Sequence, residues 1–94
     1  MKIEIAEAAL DDLETLYLDG AMKFGAARAE RYQVELVDSF RKLIDYPRSK
    51  PEQPAIGRGV RLFRFRAHVI LYRIAGTCIE ILRIRHAHED WKDT

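Results

Sequence analysis

The sequence predicts an α+β fold in which a helical hairpin packs on a small antiparallel sheet, in the order β-α-α-β-β-β. Three observations predict this fold. A short alternating segment is followed by two segments with apolar residues at helical spacing. All 3 prolines then fall within residues 47–59, which are therefore a loop. After the loop, runs rich in branched and aromatic residues indicate strands.

The first half of the chain carries one strand and the helical hairpin. Lys2–Ala6 alternates polar and apolar residues and predicts the strand. The first helix begins at Glu7, with acidic residues that suit the positive end of its dipole, and ends at Gly25. The second helix is predicted over residues 26–45 and stops before Pro47. The short connection between the helices indicates an antiparallel hairpin.

The second half carries three strands, over residues 60–66, 68–74 and 78–86. Apolar residues run without interruption in the last two, so we expect these two strands inside the sheet. A tight turn at Gly76 and the other short connection favour an antiparallel meander. The first strand places Arg61, Phe63 and Phe65 on one face. The aromatic and leucine residues predicted for the core are Tyr32, Leu36, Phe40, Phe63 and Phe65.

The chain has 94 residues, of which 48% are apolar and 33% charged. This length predicts a single domain over residues 1–94, and this composition excludes intrinsic disorder. The single Cys78 has no partner for an internal disulfide, and its apolar neighbours favour a buried small hydrophobe over a reactive thiol. Spacing typical of zinc sites is absent from the sequence, and we expect neither a metal nor a cofactor.

No segment of the sequence is suited to a membrane or to export. No apolar run approaches the ~20 residues that span a bilayer. The acidic segment MKIEIAEAAL is unlike a signal peptide. We therefore expect a protein of the reducing cytoplasm with no membrane partner.

Positive charge is concentrated in the second half of the chain. Residues 1–47 carry 6 basic and 10 acidic side chains, whereas residues 48–94 carry 10 basic and 5 acidic ones. Between Arg48 and His88, 8 of the 9 basic residues are arginine, the side chain best suited to forked binding of phosphate or carboxylate. Either this half binds an anionic partner, or it is the solvated basic face of a small domain.

Several arginines lie on or beside three consecutive predicted strands. Because neighbouring strands are about 4.8 Å apart, we expect the guanidinium groups of Arg61, Arg73, Arg83 and Arg85 to converge on one anionic ligand. Alternatively, Arg61 or Arg83 bonds a backbone carbonyl or Glu80.

The histidines at the end of the last strand are candidate functional residues. Positive charge disfavours protonation of a neighbouring histidine, so His86 is a candidate general acid or base; alternatively, it caps the strand. The pair His86 and His88 resembles a metal motif only loosely, and we predict no metal site. Trp91 is either a lid over the core or an intercalating residue.

A set of short segments carries a resemblance over nearly the whole chain. In the second half these segments are Gly59–Arg61, His68–Arg73, Ile79–Ile84 and His86. In the first half they are Ala9, Asp12-Leu13, Phe24-Gly25, Ala29, Tyr32 and Pro47. As an ordered set they resemble the ParE/RelE family of bacterial toxins, and the first half matches its ParE branch. Ala6-Glu7 stands where the family often has Ser-Pro, which affects helix capping rather than function.

The resemblance implies the toxin of a type II toxin–antitoxin pair. ParE-like members are poisons of DNA gyrase, whereas RelE-like members cut messenger RNA in the ribosome. For a nuclease, Arg61 and Arg83 would supply cations and His86 an acid or base, but a second titrating group is missing, because Tyr72 lies mid-strand. We therefore expect a gyrase inhibitor that acts by binding, with a RelE-like, metal-independent endoribonuclease as the alternative.

The resemblance also implies a ParD-like antitoxin in a hetero-oligomer, with operator DNA bound only through it. We expect the antitoxin to lay apolar residues on the hairpin and to aim carboxylates at the sheet. The residues predicted to bind antitoxin or target are Arg61, Arg64, Arg73, Arg83, His86, His88 and Trp91. A plain nucleic-acid-binding domain is disfavoured by the net charge of +1 and the acidic first half.

Overall fold

The computed structural model describes residues 1–87, which form a four-stranded sheet covered on one face by a helical hairpin. The elements in chain order are β1 (Lys2–Ile5), α1 (Glu7–Phe24), α2 (Ala26–Ser39), α3 (Arg41–Asp45), β2 (Arg61–Phe65), β3 (His68–Ala75) and β4 (Cys78–His86). The predicted α+β class and the order of helices and strands are confirmed.

The sheet has the strand order β1-β4-β3-β2. As predicted, the last three strands form an antiparallel meander with the apolar β3 and β4 at its centre. The sheet as a whole is mixed, which corrects the expectation of a purely antiparallel one. β1 lies parallel to β4, with Ile3 opposite Ile79 and Ile5 opposite Ile81. A parallel pair requires a long connection, and here the chain between β1 and β4 provides it, since it contains the helices, β2 and β3.

The predicted second helix is interrupted at Phe40, which separates α2 from α3 and corrects the continuous helix expected over residues 26–45. The backbone tightens here, since Phe40 donates to Val37 and Leu43 donates to Phe40, at 3.1 and 3.0 Å. The Ser39 hydroxyl also donates to the Leu36 carbonyl, a local bond that competes with the helical pattern. The apolar spacing continues through the break, so periodicity alone did not show it.

The core lies between the hairpin and the inner face of the sheet. Its fully buried side chains are Leu36, Phe40, Ile70, Tyr72, Ile79 and Ile81. Phe63 is buried, and Tyr32 and Phe65 pack against the cluster, so the predicted aromatic core is confirmed. Within residues 1–87, none of the helices combines the length and the apolar content that crossing a bilayer requires.

Two glycines set the geometry of the hairpin in different ways. Gly25 joins the helices with φ of 90° and ψ of 155°, a conformation that strains any side chain. Gly20 lies inside α1, where an added Cβ would be 3.4 Å from the Cβ of Ala29 on α2, an ordinary contact distance.

We predict opposite effects for alanine at these two positions. Gly25→Ala should lower the free energy of unfolding by about 1–3 kcal/mol because of backbone strain. Gly20→Ala should raise it by about 0.5–1 kcal/mol, since alanine is the better helix former. Urea unfolding followed by circular dichroism measures both. Equal effects of the two changes would contradict the role given to Gly25.

Candidate functional site

The predicted arginines lie on both faces of the sheet. Arg61 is opposite the buried Tyr72 and therefore lies on the helix-covered face. Arg64 lies three positions beyond Arg61 along β2, and Arg73 directly follows Tyr72, so both belong to the open face. Because Arg61 and Arg73 lie on opposite faces, the expected convergence of Arg61, Arg73, Arg83 and Arg85 on one ligand is wrong. Their individual binding roles stay predictions.

Arg61 is an anchor for the loop that precedes β2. Only 14% of its side chain is exposed, and it lies 3.5 Å from the Glu52 carboxylate. Its Nη1 also donates to the carbonyl of Lys50. The hydroxyl of Tyr72 donates to the carbonyl of Pro47, at 3.0 Å. The alternative reading of Arg61, a bond to a backbone carbonyl, is thus confirmed.

The carboxylate of Asp12 joins α1 to the edge of β4. β1 ends at Ile5, opposite Ile81, so within residues 1–87 the following part of β4 has no strand on that side. Asp12 there accepts hydrogen bonds from Arg83, at 2.8 and 3.0 Å, and from the backbone N–H of Ile84, at 2.9 Å. It takes the place of a neighbouring strand and holds α1 against the sheet.

Electrostatics keep Asp12 ionised at neutral pH. Burial alone would raise the pKa of Asp12, but the hydrogen bonds from Arg83 and Ile84 and the charges of Arg83 and Arg85 outweigh it and lower the pKa below its usual value. Arg83 therefore forms an ion pair within its own chain. The acceptor found for Arg83 is the carboxylate of Asp12, whereas the alternative named a backbone carbonyl or Glu80.

A cleft of about 300 Å³ opens between α1 and the outer ends of β3 and β4. We call it the histidine cleft; its lining residues are Asp12, Thr15, Leu16, Asp19, His68, Ile84, Arg85 and His86. The rings of His68 and His86 meet edge to face with their centroids 5.3 Å apart. The cleft thus combines two imidazoles with carboxylates, a guanidinium and a hydroxyl, which are groups suited to proton transfer and to hydrogen bonding.

Tyr32, on α2, fixes the orientation of the His68 ring through a hydrogen bond. Its hydroxyl lies 2.7 Å from Nδ1 of His68. Burial raises the pKa of Tyr32 above its ordinary value, with Ala67 and Arg66 acting in the opposite direction. The phenol is therefore protonated at neutral pH, and its hydroxyl shares one hydrogen bond with Nδ1 of His68.

His68 is the functional candidate that sequence reasoning missed. The sequence pattern indicates no second titrating group beside His86, yet the observed register pairs His68 with His86 directly. A regular hairpin continued from the Ala75–Cys78 pair would instead place Arg85 opposite His68. An irregularity between Leu71 and Tyr72 shifts the register by one residue, and this shift brings the two imidazoles together.

Two of the predicted site residues, His88 and Trp91, lie outside the described residues. Within the described part of the chain, no group of three or more His, Cys, Asp or Glu side chains is arranged to hold a metal ion.

The hairpin presents an apolar surface on its outer side. On α1, Leu10, Leu18 and Met22 share one stripe at intervals of eight and four residues, and Met22 is 88% exposed. We call this the hairpin surface, made of Leu10, Leu18, Met22, Phe24, Val34, Val37 and Ile44, each at least one-third exposed. The helices are therefore rich in exposed apolar side chains, the residue type from which contiguous interaction surfaces are built.

Comparisons with known proteins agree with this fold. The sequence matches the family model described as the ParE toxin of the type II toxin–antitoxin system parDE, over residues 3–91. A solved structure titled as a chromosomal ParDE toxin–antitoxin system from P. aeruginosa superposes with a TM-score of 0.81. The two chains are 23% identical, and the match covers 92% of this chain and 95% of the other. No curated protein matches the sequence.

We predict that Asp12→Asn lowers the free energy of unfolding by about 1.5–3 kcal/mol at neutral pH, because the variant loses charge-assisted hydrogen bonds from Arg83. The pKa of Asp12 is lowered in the folded state. Its stabilising effect is therefore present above the unfolded-state pKa of about 3.9 and is lost as the pH falls through the folded-state value. The difference between the two proteins should thus shrink in acid.

Urea unfolding of both proteins between about pH 7 and about pH 2 measures this effect. Asp11→Asn is the matched control, since Asp11 is the exposed neighbour on the same helix. A loss of stability that is the same at every pH, or equal in the control, would contradict the role given to the Asp12 carboxylate.

Proposed function

This chain belongs to the ParE toxin family of type II toxin–antitoxin systems, and we propose that it inhibits DNA gyrase by binding and that a cognate ParD-like antitoxin neutralises it. The family match carries this proposal, because it spans both arms of the hairpin and all four strands. Gyrase poisoning is the activity that resemblance to the ParE branch implies.

The two arginines that the resemblance assigns to a nuclease have structural roles, although Arg85 lines the histidine cleft together with His68 and His86. A nuclease needs cations beside its acid and base. Arg61, one of the two cations expected for that role, is a largely buried loop anchor, and Arg83 is bound to Asp12. His86 therefore lies in a cleft that neither Arg61 nor Arg83 lines.

The antitoxin would cover two surfaces of different chemistry. The hairpin surface offers apolar side chains to an amphipathic segment. Arg64 and Arg73 lie exposed on the open face of the sheet, where carboxylates of the same antitoxin would reach them. In the free toxin Arg73 binds Glu80 at 2.8 Å, so the antitoxin would compete with an exchangeable surface ion pair.

The target is tested with purified protein in two parallel assays. We expect inhibition of gyrase-catalysed DNA supercoiling and no cleavage of messenger RNA on translating ribosomes. Cleavage of messenger RNA that disappears in His86→Ala, without any effect on gyrase, would overturn the proposal in favour of the RelE-like alternative.

A second prediction concerns the antitoxin interface. Leu18→Asp should weaken antitoxin binding about tenfold or more, because it places a charge in an apolar contact. Arg73→Ala should weaken it about tenfold, as expected for a lost charge-assisted hydrogen bond. Isothermal titration with the cognate antitoxin measures both. Thr77→Asp, a charge introduced in the exposed β3–β4 turn, is the control. Unchanged affinity in Leu18→Asp would exclude the hairpin surface as the docking site.

A further inference from the structure

A second cavity, of about 320 Å³, lies between α3, the loop after it and β2. Its floor is apolar and includes the buried Leu43 and Phe63. Its rim is exposed and polar and carries Lys42, Tyr46, Ser49, Lys50 and Arg64. We call this cavity the tyrosine pocket. Its lining is separate from the histidine cleft, and only Arg64 was among the residues predicted to bind a partner.

The rim carries positive charge that the protein leaves unbalanced. Within residues 1–87, neither Lys42 nor Lys50 forms an ion pair with a carboxylate. Arg64 uses its Nε to donate to the carbonyl of Arg66, at 2.8 Å, which neutralises no charge. Within residues 1–87 some arginines are paired with carboxylates, as Arg41 is with Asp38, whereas others, such as Arg48 and Arg58, are not. Three cations around one cavity therefore favour an anionic ligand.

Tyr46 adds a flat apolar surface to this rim. Tyr46 is 71% exposed, so its aromatic side chain is accessible to a ligand. Exposed aromatic rings beside lysine and arginine are the combination that stacks a base while the cations hold its phosphate.

The loop that carries this rim is fixed from below. Tyr72, which is fully buried, donates to the carbonyl of Pro47. Arg61 donates to the carbonyl of Lys50. Ser49 donates its backbone N–H to Tyr46, at 3.1 Å, which closes the turn between them. The rim is thus held in place without a ligand, and a ligand would lose little affinity to ordering the loop.

We propose that the tyrosine pocket binds a nucleotide, with the base stacked on Tyr46 and the phosphate held by Lys42, Lys50 and Arg64. An acidic peptide running along the edge strand β2 is the competing ligand, and the exposed Tyr46 favours the nucleotide because it offers a surface on which a base stacks. The proposal does not depend on gyrase inhibition, and the pocket shares only Arg64 with the proposed antitoxin surfaces.

The test is binding of two probes to the purified full chain. Deoxythymidine monophosphate is titrated by calorimetry, and a fluorescein-labelled single-stranded (dT)8 is titrated by anisotropy. If the mononucleotide binds, a free nucleotide is a sufficient ligand for the pocket. If only (dT)8 binds, the ligand is a nucleotide within a nucleic acid strand. Inorganic phosphate should bind at least about tenfold more weakly than the tighter probe, because it offers no base to Tyr46.

Variants assign the binding to this pocket. Tyr46→Ala should weaken the tighter probe about tenfold or more, whereas Tyr46→Phe keeps the ring and should stay within about twofold. Lys42→Gln combined with Lys50→Gln should weaken (dT)8 and reduce the slope of log affinity against log salt by about 1.4, or about 0.7 per phosphate contact. Arg41→Gln is the matched control, since Arg41 is exposed and adjacent to Lys42 but outside the pocket.

Three results would overturn the proposal. They are the absence of binding by both probes, a loss in Arg41→Gln as large as in the lysine variant, and tighter binding of a glutamate-rich peptide than of either nucleotide probe. All the substituted side chains are exposed, and thermal unfolding by circular dichroism verifies that each variant is folded.

Discussion

One carboxylate fixes where the helical hairpin lies along the edge of the sheet. β1 covers β4 only as far as Ile81, and Asp12 satisfies the backbone of the strand beyond that point. Its bidentate bond to Arg83 fixes the position of α1 along β4. The histidine cleft exists because α1 is held there, and the outer side of the same helix is left to carry the hairpin surface. A single ion pair thus positions two surfaces of different chemistry.

The structure distributes its cations according to what holds them. Arg61 and Arg83 are committed to the protein's own loop and helix. Arg64 and Arg73 are exposed on the open face of the sheet. Lys42 and Lys50 lie on the rim of the tyrosine pocket. The arginines of the second half are therefore divided between structural positions and exposed ones. Separate surfaces of this kind would allow the proposed antitoxin and the proposed target to be recognised by different side chains.

Local patterns in the sequence were sufficient for the order of elements, the hairpin and the central position of β3 and β4. They were insufficient where distant residues decide the outcome. The tight turn around Phe40 keeps the apolar spacing of a continuous helix, and the partner of β1 lies at the far end of the described chain. The pairing of His68 with His86 depends on one irregular residue in the strand pair. The partners of Arg61 and Arg83 come from segments that only tertiary packing brings near.

The parallel pairing of β1 with β4 has a consequence for how the protein is made. Lys2 pairs with Cys78, so these partners are 76 positions apart. A nascent chain emerges from the ribosome in order, and its first strand has no neighbour until residue 81 has left the exit tunnel. Contacts so distant along the chain also slow folding, because a long loop has to close first. The toxin therefore becomes complete only late in its own translation, well after its helices have been synthesised.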